Sequence, residues 1–373
     1  MRLASLDSFR GLAIASMILV NNPGSWSHVY PPLRHADWHG FTPTDQIFPA
    51  FLFIVGAAIP FTLARYRAAG AAERGAFQRR LIRRVAALFA LGLILNASTM
   101  VMDWAVNGAP VDLATLRIMG VLQRIALAYL LAVALVLALP PRLQIAAVGL
   151  VLFAYWAALA LVPVPGYGAG VLTPEGALPS YVDRLVLGPA HLYRDGFDPE
   201  GLLSTLPATA SVMFGYAAGL RVKGAAVSSR VTWQLAAAGL ACLLAGALWG
   251  LVLPLNKQLW TSSYVVFTAG GSLLLLALCY EVMEVRRWSW LGWPLQVMGV
   301  NAITLFFASG LVARLLNVIH AADGRSLHLW LYQDLFVPLA GRLDGSLAFA
   351  LATVLVWWLV LYALYRRGWI IRI

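Results

Sequence analysis

Ten apolar stretches, each close to the ~20 residues an α-helix needs to cross a hydrocarbon layer, dominate this 373-residue chain. They fall near 6–20, 46–65, 80–97, 117–139, 143–162, 204–221, 231–253, 261–285, 292–314 and 346–366. A backbone in lipid must satisfy its own hydrogen bonds, so runs of this length predict an all-α, polytopic transmembrane helical bundle of about ten spans. A transmembrane barrel is excluded, because barrel strands alternate apolar and polar residues and these runs are continuous. Composition agrees: charged residues make up only 12% of the chain, about half the usual globular share. The first stretch is interrupted by Asp7 and Arg10, and no small-residue cleavage site follows Val20. It therefore reads as a retained first helix rather than a signal peptide. Cys242 and Cys279 each lie inside an apolar run and read as small buried hydrophobes, not as a disulfide or thiolate site.

Basic residues set the orientation. With the N-terminus inside, the inner segments hold 18 of the 27 Lys and Arg, the outer segments hold eight, and Arg124 falls within the fourth span. Both termini are then cytoplasmic. Twelve of the 16 acids and all six histidines land outside. Proton chemistry is thus expected at the outer face and anion binding at the inner one. Three outer loops, 21–45, 163–203 and 315–345, are long enough to build a site. The Pro- and Gly-rich stretch 162–176 of the middle one suits an irregular lid better than a helix. No soluble domain, repeat or low-complexity tail stands out, so residues 1–373 read as one membrane domain.

The first outer loop carries the densest chemistry. His35, Asp37, His39 and Asp45 lie within eleven residues at the mouth of the second span, and ionisable groups so placed mark a functional site by default. The i, i+4 spacing of His35 and His39 would share a helix face, yet Pro31, Pro32, Gly40 and Pro43 argue against a helix. A zinc site would also need a third ligand, and no metal is expected. A histidine acting as base or nucleophile needs only a carboxylate to orient it, which Asp45 can supply. Asp45 is equally suited to capping the second helix. Arg124 inside an apolar span needs a partner, either a structural acid or a ligand. Arg79, Arg80, Arg83 and Arg84 at the inner end of the third span suit anionic lipid or the phosphates of a cofactor. No Walker or Rossmann glycine pattern is present.

Several ordered motifs give the chain a resemblance. Ser5 to Gly11 (SLDSFRG), Val20 to Gly24 (VNNPG), and the His35 to Pro49 block are the first. Val121 to Arg124 (VLQR), Asp198 to Thr205 (DPEGLLST), Pro254 to Lys257, Leu259 to Tyr264 (LWTSSY) and Gly299 to Ile303 (GVNAI) follow. Together they resemble the heparan-α-glucosaminide N-acetyltransferase family, which comprises the lysosomal transmembrane acetyltransferase and its bacterial relatives.

The resemblance implies an acetyl-CoA-dependent N-acetyltransferase, an integral protein of a bacterial inner membrane. It would move an acetyl group from cytosolic acetyl-CoA to the amine of a glucosamine-type sugar or glycan on the periplasmic side. The family's catalytic histidine, in an H-A-x-W-x-G motif, maps onto His35, its aspartate onto Asp45 and its asparagine onto Asn21. Where the family usually has Asn, this chain has His39. Arg10, Arg79, Arg80, Arg83, Arg84, Arg124 and Asn301 are implied for the co-substrate, and Trp38, His39, Glu200 and Lys257 for the acceptor. Asn21 or Asn301 would hydrogen-bond the thioester oxygen as charge develops there. His35 would serve as base or as acetyl carrier, two mechanisms left open. Lipid is an expected partner, nucleic acid is not, and a homodimer is one assembly the reading allows. The large luminal N-terminal domain of the lysosomal enzyme is not expected. The competing class is an amino-sugar permease without chemistry. Paired mid-span Gly and Pro breaks would favour it, and Pro49 and Pro60 of the second span have no matching pair later.

Overall fold

The computed structural model describes residues 3–67, 71–194 and 196–371. Its helices are α1 (Ala4–Asn21), α2 (Ile47–Arg67), α3 (Ala71–Asn107), α4 (Val121–Ala138), α5 (Pro141–Leu161), α6 (Leu178–Leu187) and α7 (Thr205–Lys223). They continue as α8 (Ser229–Gly250), α9 (Ser262–Tyr280), α10 (Ser289–Val300), α11 (Ala302–Val318), α12 (Leu327–Leu331) and α13 (Val337–Arg366). Among the described residues there is no β-strand, only three isolated bridges. Among the described residues, seven helical segments are long and apolar enough to cross a membrane: 43–63, 73–107, 121–138, 141–161, 229–250, 262–285 and 327–366. This is an integral membrane protein.

Three of the expected spans take other forms. The stretch 292–314 is two helices, α10 and α11, bent by 66° at Asn301. The 6–20 and 204–221 stretches are the helices α1 and α7, which carry charges (Asp7 and Arg10; Arg221 and Lys223) and bury most of their residues among neighbours. Of the three long loops, 21–45 and 163–203 keep the expected length, and 315–345 does not. The stretch 162–176 is irregular, but α6 follows within the same loop. Most of 315–345 is helical, because α11 runs on to Val318 and α12 leads through a π-turn into α13, which breaks at Gly341 (φ 76°).

Close helix contact in lipid depends on small residues, since there is no hydrophobic drive between apolar surfaces there. On α7, Gly215 and Gly219 form a G-x-x-x-G pair facing α2. A methyl group built on Gly215 would sit 1.8 Å from the Phe53 carbonyl oxygen, and one on Gly56 of α2 would sit 1.8 Å from that of Val212. The α2–α7 pair therefore touches backbone to backbone. This centre, with α1 and α9, holds the buried core, while α5, α8 and α13 turn apolar side chains outward. α2 is the element that matters for the site. It runs from just after the His35–Asp45 loop to Arg67, and its residues from Ile47 to Tyr66 line cavities at both ends.

Candidate active site

The loop carrying His35 is irregular, as its prolines require, and it is tied down by backbone and side-chain bonds. Arg34 Nε donates to the Val29 carbonyl (2.8 Å), Thr42 Oγ1 to the Arg34 carbonyl (2.6 Å), and Thr44 Oγ1 to the Pro32 carbonyl (3.1 Å). Thr42 is the N-cap of the turn that opens α2. Asp45 stands three residues on, so it is not the cap expected from sequence but the partner that closes the capping turn. Its Oδ2 accepts from the backbone N–H of Thr42 (3.0 Å) and Ala36 (3.1 Å), with Thr42 Oγ1 3.1 Å away. Its Oδ1 lies 2.7 Å from His35 Nδ1.

A carboxylate oxygen can only accept, so Nδ1 carries the imidazole proton and Nε2 keeps its lone pair. Asp45 is fully buried, and its backbone carbonyl accepts from the Tyr264 hydroxyl (2.6 Å) on α9. The His35 side chain is 43% exposed. A rigid carboxylate thus orients an accessible base.

A second loop, between α8 and α9, supports the first. Gly40 N–H donates to the Leu255 carbonyl (2.8 Å), and Gln258 Nε2 to the Asp37 carbonyl (3.2 Å). Asn256 Nδ2 lies 3.3 Å from His39 Nδ1. The loop turns at Trp260, a non-glycine residue in the left-handed region (φ 54°). Such strain persists only where packing over-determines it. The Trp260 ring packs against Phe48 and Tyr264 with centroids 5.1 and 5.4 Å away, and Arg124 lies 4.9 Å over it. This turn holds Lys257, whose Nζ sits 3.0 and 3.1 Å from the two ring nitrogens of His35 and 3.8 Å from Asp45 Oδ1. Burial pulls the Lys257 ammonium below the ordinary lysine range and Arg124 pushes the same way, against the attraction of Asp45 and Glu200.

Two cavities meet at His35. The smaller, about 160 Å³, is lined by Asn21, His35, Thr44, Phe48, Glu200, Lys257 and Phe306 among others. The larger, about 700 Å³, shares Asn21, His35 and Phe306 with it and adds Trp26, Tyr193, Arg194, Ser309 and Arg314. Glu200 is braced by Arg117, whose Nη2 lies 2.5 Å from Glu200 Oε2 and 2.6 Å from Asp198 Oδ1. The Arg117 guanidinium is thereby held even more firmly protonated than usual against its own burial. Sequence reading missed Arg117, which there is only one of eight basic residues assigned to the outer segments. Its partners Asp198 and Glu200 come 81 and 83 residues later, and no local pattern links them.

Arg124 is fully buried. One nitrogen reaches the Gly201 carbonyl (3.3 Å) and Ser204 Oγ. Of the two readings open in the sequence, its contacts are with the Asp198–Thr205 turn and the Trp260 ring, away from the cavity walls. Trp38 gives its indole N–H to the Leu172 carbonyl (2.6 Å) and packs edge-on to Phe197. His39, its ring lowered in pKa by burial, faces Asn256. Neither lines the cavities at His35. Among the described residues no cluster of His, Cys, Asp or Glu could hold a metal.

At the other end of α2, two more cavities meet at Arg84. One, about 660 Å³, is lined by Thr62, Tyr66, Phe77, Arg80, Arg84 and Tyr129 among others. The second, about 310 Å³, shares Thr62, Arg84 and Tyr129 and adds Arg10, Phe51, Val55, Asn301 and Ile303. Arg79 and Arg83 line neither and are exposed. The two asparagines named from sequence are therefore in different places. Asn21 stands beside His35, whereas Asn301 lies in the cavity of Arg10 and Arg84. Its amide bonds the Trp369 carbonyl (3.1 Å) and the Ile371 N–H (2.9 Å). Phe48 and Phe51 of α2, and Phe306 and Ile303 of α11, line the two cavity systems one helical turn apart.

A family model described as heparan-alpha-glucosaminide N-acetyltransferase, catalytic, matches residues 2–247. The chain belongs to this family. The heparan-alpha-glucosaminide N-acetyltransferase of Homo sapiens is 29% identical over 367 residues, covering 82% of this chain and 52% of that protein. The protein of the same name from Mus musculus is 27% identical over 361 residues, with 82% and 53% covered. The chain thus spans about half the length of these relatives. The region matched to the heparan-alpha-glucosaminide N-acetyltransferase family includes Asn21, His35, Asp45, Arg84 and Glu200, while Lys257 and Asn301 lie beyond it.

Proposed function

We propose that the protein is a transmembrane N-acetyltransferase using acetyl-CoA as donor and the amine of a glucosamine-type sugar as acceptor. The observation that carries the reading is a histidine locked by a buried carboxylate and opening onto two confluent cavities. The larger, with Trp26, Tyr193, Asn21 and Ser309 on its wall, suits a sugar, and the smaller suits the thioester. The acetyl-CoA phosphates lie against Arg84, Arg80 and Arg10 at the opposite end, where arginine forks match phosphate oxygens. The pantetheine arm passes between α2 and α11, across the single turn from Phe51 to Phe48.

At the His35 end the acceptor's neutral amine attacks the thioester carbonyl carbon. His35 Nε2 takes the amine proton as the C–N bond forms, and Asp45 steadies the imidazolium. The Asn21 amide donates to the oxygen on which negative charge develops. The C–S bond then breaks and the thiol leaves. Because both cavities border His35 at once, donor and acceptor occupy the site together, and His35 acts as base rather than as acetyl carrier.

Ten spans in one domain, with α1, α7 and the bent α10–α11 pair counted, complete this reading. The bias of 18 inner against eight outer basic residues supports cytoplasmic termini, a donor taken from the cytoplasm and a site on the periplasmic side of a bacterial inner membrane. The test is to incubate purified protein with acetyl-CoA and a panel of amino sugars, following free thiol and the N-acetyl product by mass. Thiol release that requires an amino sugar supports the reading. Movement of sugar across vesicles with no thiol released would replace it with a permease.

A further inference from the structure

The Lys257 ammonium lies almost equidistant from both nitrogens of His35, at 3.0 and 3.1 Å, on the wall of the smaller cavity. Its nearest Asp45 oxygen is farther, at 3.8 Å, so the ring and not the carboxylate is its nearest charged or titratable neighbour. We propose, resting on the acetyl-transfer reading above, that Lys257 is a second catalytic residue, the acid that protonates the departing coenzyme A thiolate and is then recharged by His35.

The reasoning starts from what a thiolate meets in that cavity. Phe48, Phe306, Val121 and Ile47 line much of the wall, and an anion released against apolar surface lacks the solvation that makes it a good leaving group. A proton delivered as the C–S bond breaks removes that cost. The donor must be charged, close and able to give up its proton. Arginine fails the last condition, since it stays protonated in proteins.

Lys257 meets all three. The groups facing it are His35, Asp45, Glu200 and Arg124. Burial and Arg124 lower its hold on the proton, and the two carboxylates keep it charged before the reaction. An acid tuned toward the working pH is the efficient kind.

The protons then balance. The neutral amine attacks the thioester carbon, and His35 Nε2 takes its proton. The C–S bond breaks with its electron pair on sulfur, and Lys257 Nζ–H protonates that sulfur. Imidazolium and neutral amine now stand about 3 Å apart; an atom that close to both ring nitrogens lies over the ring face, so the Lys257 side chain swings into line with Nε2 before the proton moves. One proton passes from His35 to Lys257, and both groups regain their starting states. Amine and acetyl thioester have become amide and thiol, with no net proton stored.

Two variants test this. Lys257→Arg keeps charge and reach but cannot release a proton, and Lys257→Met removes both. With acetyl-CoA and a saturating amino sugar, kcat of both variants should fall by about 10²- to 10⁴-fold, the range of an acid–base residue, with donor KM little changed. An acetyl ester of a nitro-substituted thiophenol, whose thiolate leaves without protonation, should restore most of the lost rate. Wild-type kcat should fall on the alkaline side as Lys257 loses its proton, and that fall should be absent in Lys257→Met. Detergent-solubilised thermal unfolding checks that each variant folds. Lys257→Arg turning over acetyl-CoA at the wild-type rate overturns the proposal, as does an equal loss with both donors. If the wild type itself releases no thiol with any amine, the acetyl-transfer reading fails first and this one falls with it.

Discussion

His35 divides its two nitrogens between fixed roles. Nδ1 is spent on Asp45, and Nε2 faces the cavities with the Lys257 ammonium 3.1 Å away. Replacing His35 with Ala should leave the fold intact and lower thiol release by about 10²- to 10⁴-fold. Asp45→Asn should also cost activity, because the amide can present its NH₂ to Nδ1 and flip the tautomer. Near-wild-type turnover in purified His35→Ala would remove it from the mechanism. A second titratable group lies outside that pair. Asp183 of α6 is fully buried, with Oδ1 accepting from Leu202 N–H (2.8 Å) and Oδ2 unpartnered among the described residues. Burial pushes its carboxyl up to about 7, helped by Asp198 and opposed by backbone donors and Arg124. The folded protein therefore keeps a proton that the unfolded chain, near 3.9, has already lost. Stability is highest below that lower value and declines as pH climbs through the window to about 7. Thermal midpoints at pH 5 and pH 8 should show this slope in the wild type, and Asp183→Asn should flatten it; parallel slopes would refute the assignment.

Among elements, α3 sorts its own arginines. Four of them, Arg79, Arg80, Arg83 and Arg84, look alike in sequence, yet the helix turns Arg80 and Arg84 toward the cavities and leaves Arg79 and Arg83 outside. Arg84 also lies 5.3 Å over the Tyr129 ring. Arg84→Gln should raise the apparent KM for acetyl-CoA about tenfold, the equivalent of one lost charged contact, whereas Arg83→Gln should leave it unchanged. Equal effects at low salt, where charge acts furthest, would make the cluster a diffuse attractor. The helices themselves were legible because apolar runs of membrane length leave the backbone few alternatives. The His35–Asp45 pair was legible because ten residues and a capping turn join it. Arg117 with Glu200, and Lys257 with His35, were not legible as contacts. They are separated by 83 and 222 residues, and only the packing of α2 against α7 and α9 brings their loops together. The cap at Thr42 rather than Asp45 was missed because either residue type serves, and one turn of register decides.

For the whole molecule, the separation of the Arg84 end of α2 from the His35 end has a direct test. In sealed vesicles with one orientation, acetyl-CoA on the Arg84 side and amino sugar on the His35 side should give N-acetyl product. The reversed arrangement should give none beyond leak. Product formed equally both ways would mean that donor and acceptor share one side. The bend between α10 and α11 has a practical consequence. Asn301, at its apex, is tied by both ends of its amide to the backbone of Trp369 and Ile371, and Ile371 itself walls the cavity of Arg10 and Arg84. On the proposed donor placement, an affinity handle fused behind those residues, or a carboxypeptidase that trims them, acts on the donor's doorway. Purification strategy at that tail is thus a kinetic variable, and tagged and untagged preparations should be compared before any Michaelis constant is assigned to the protein.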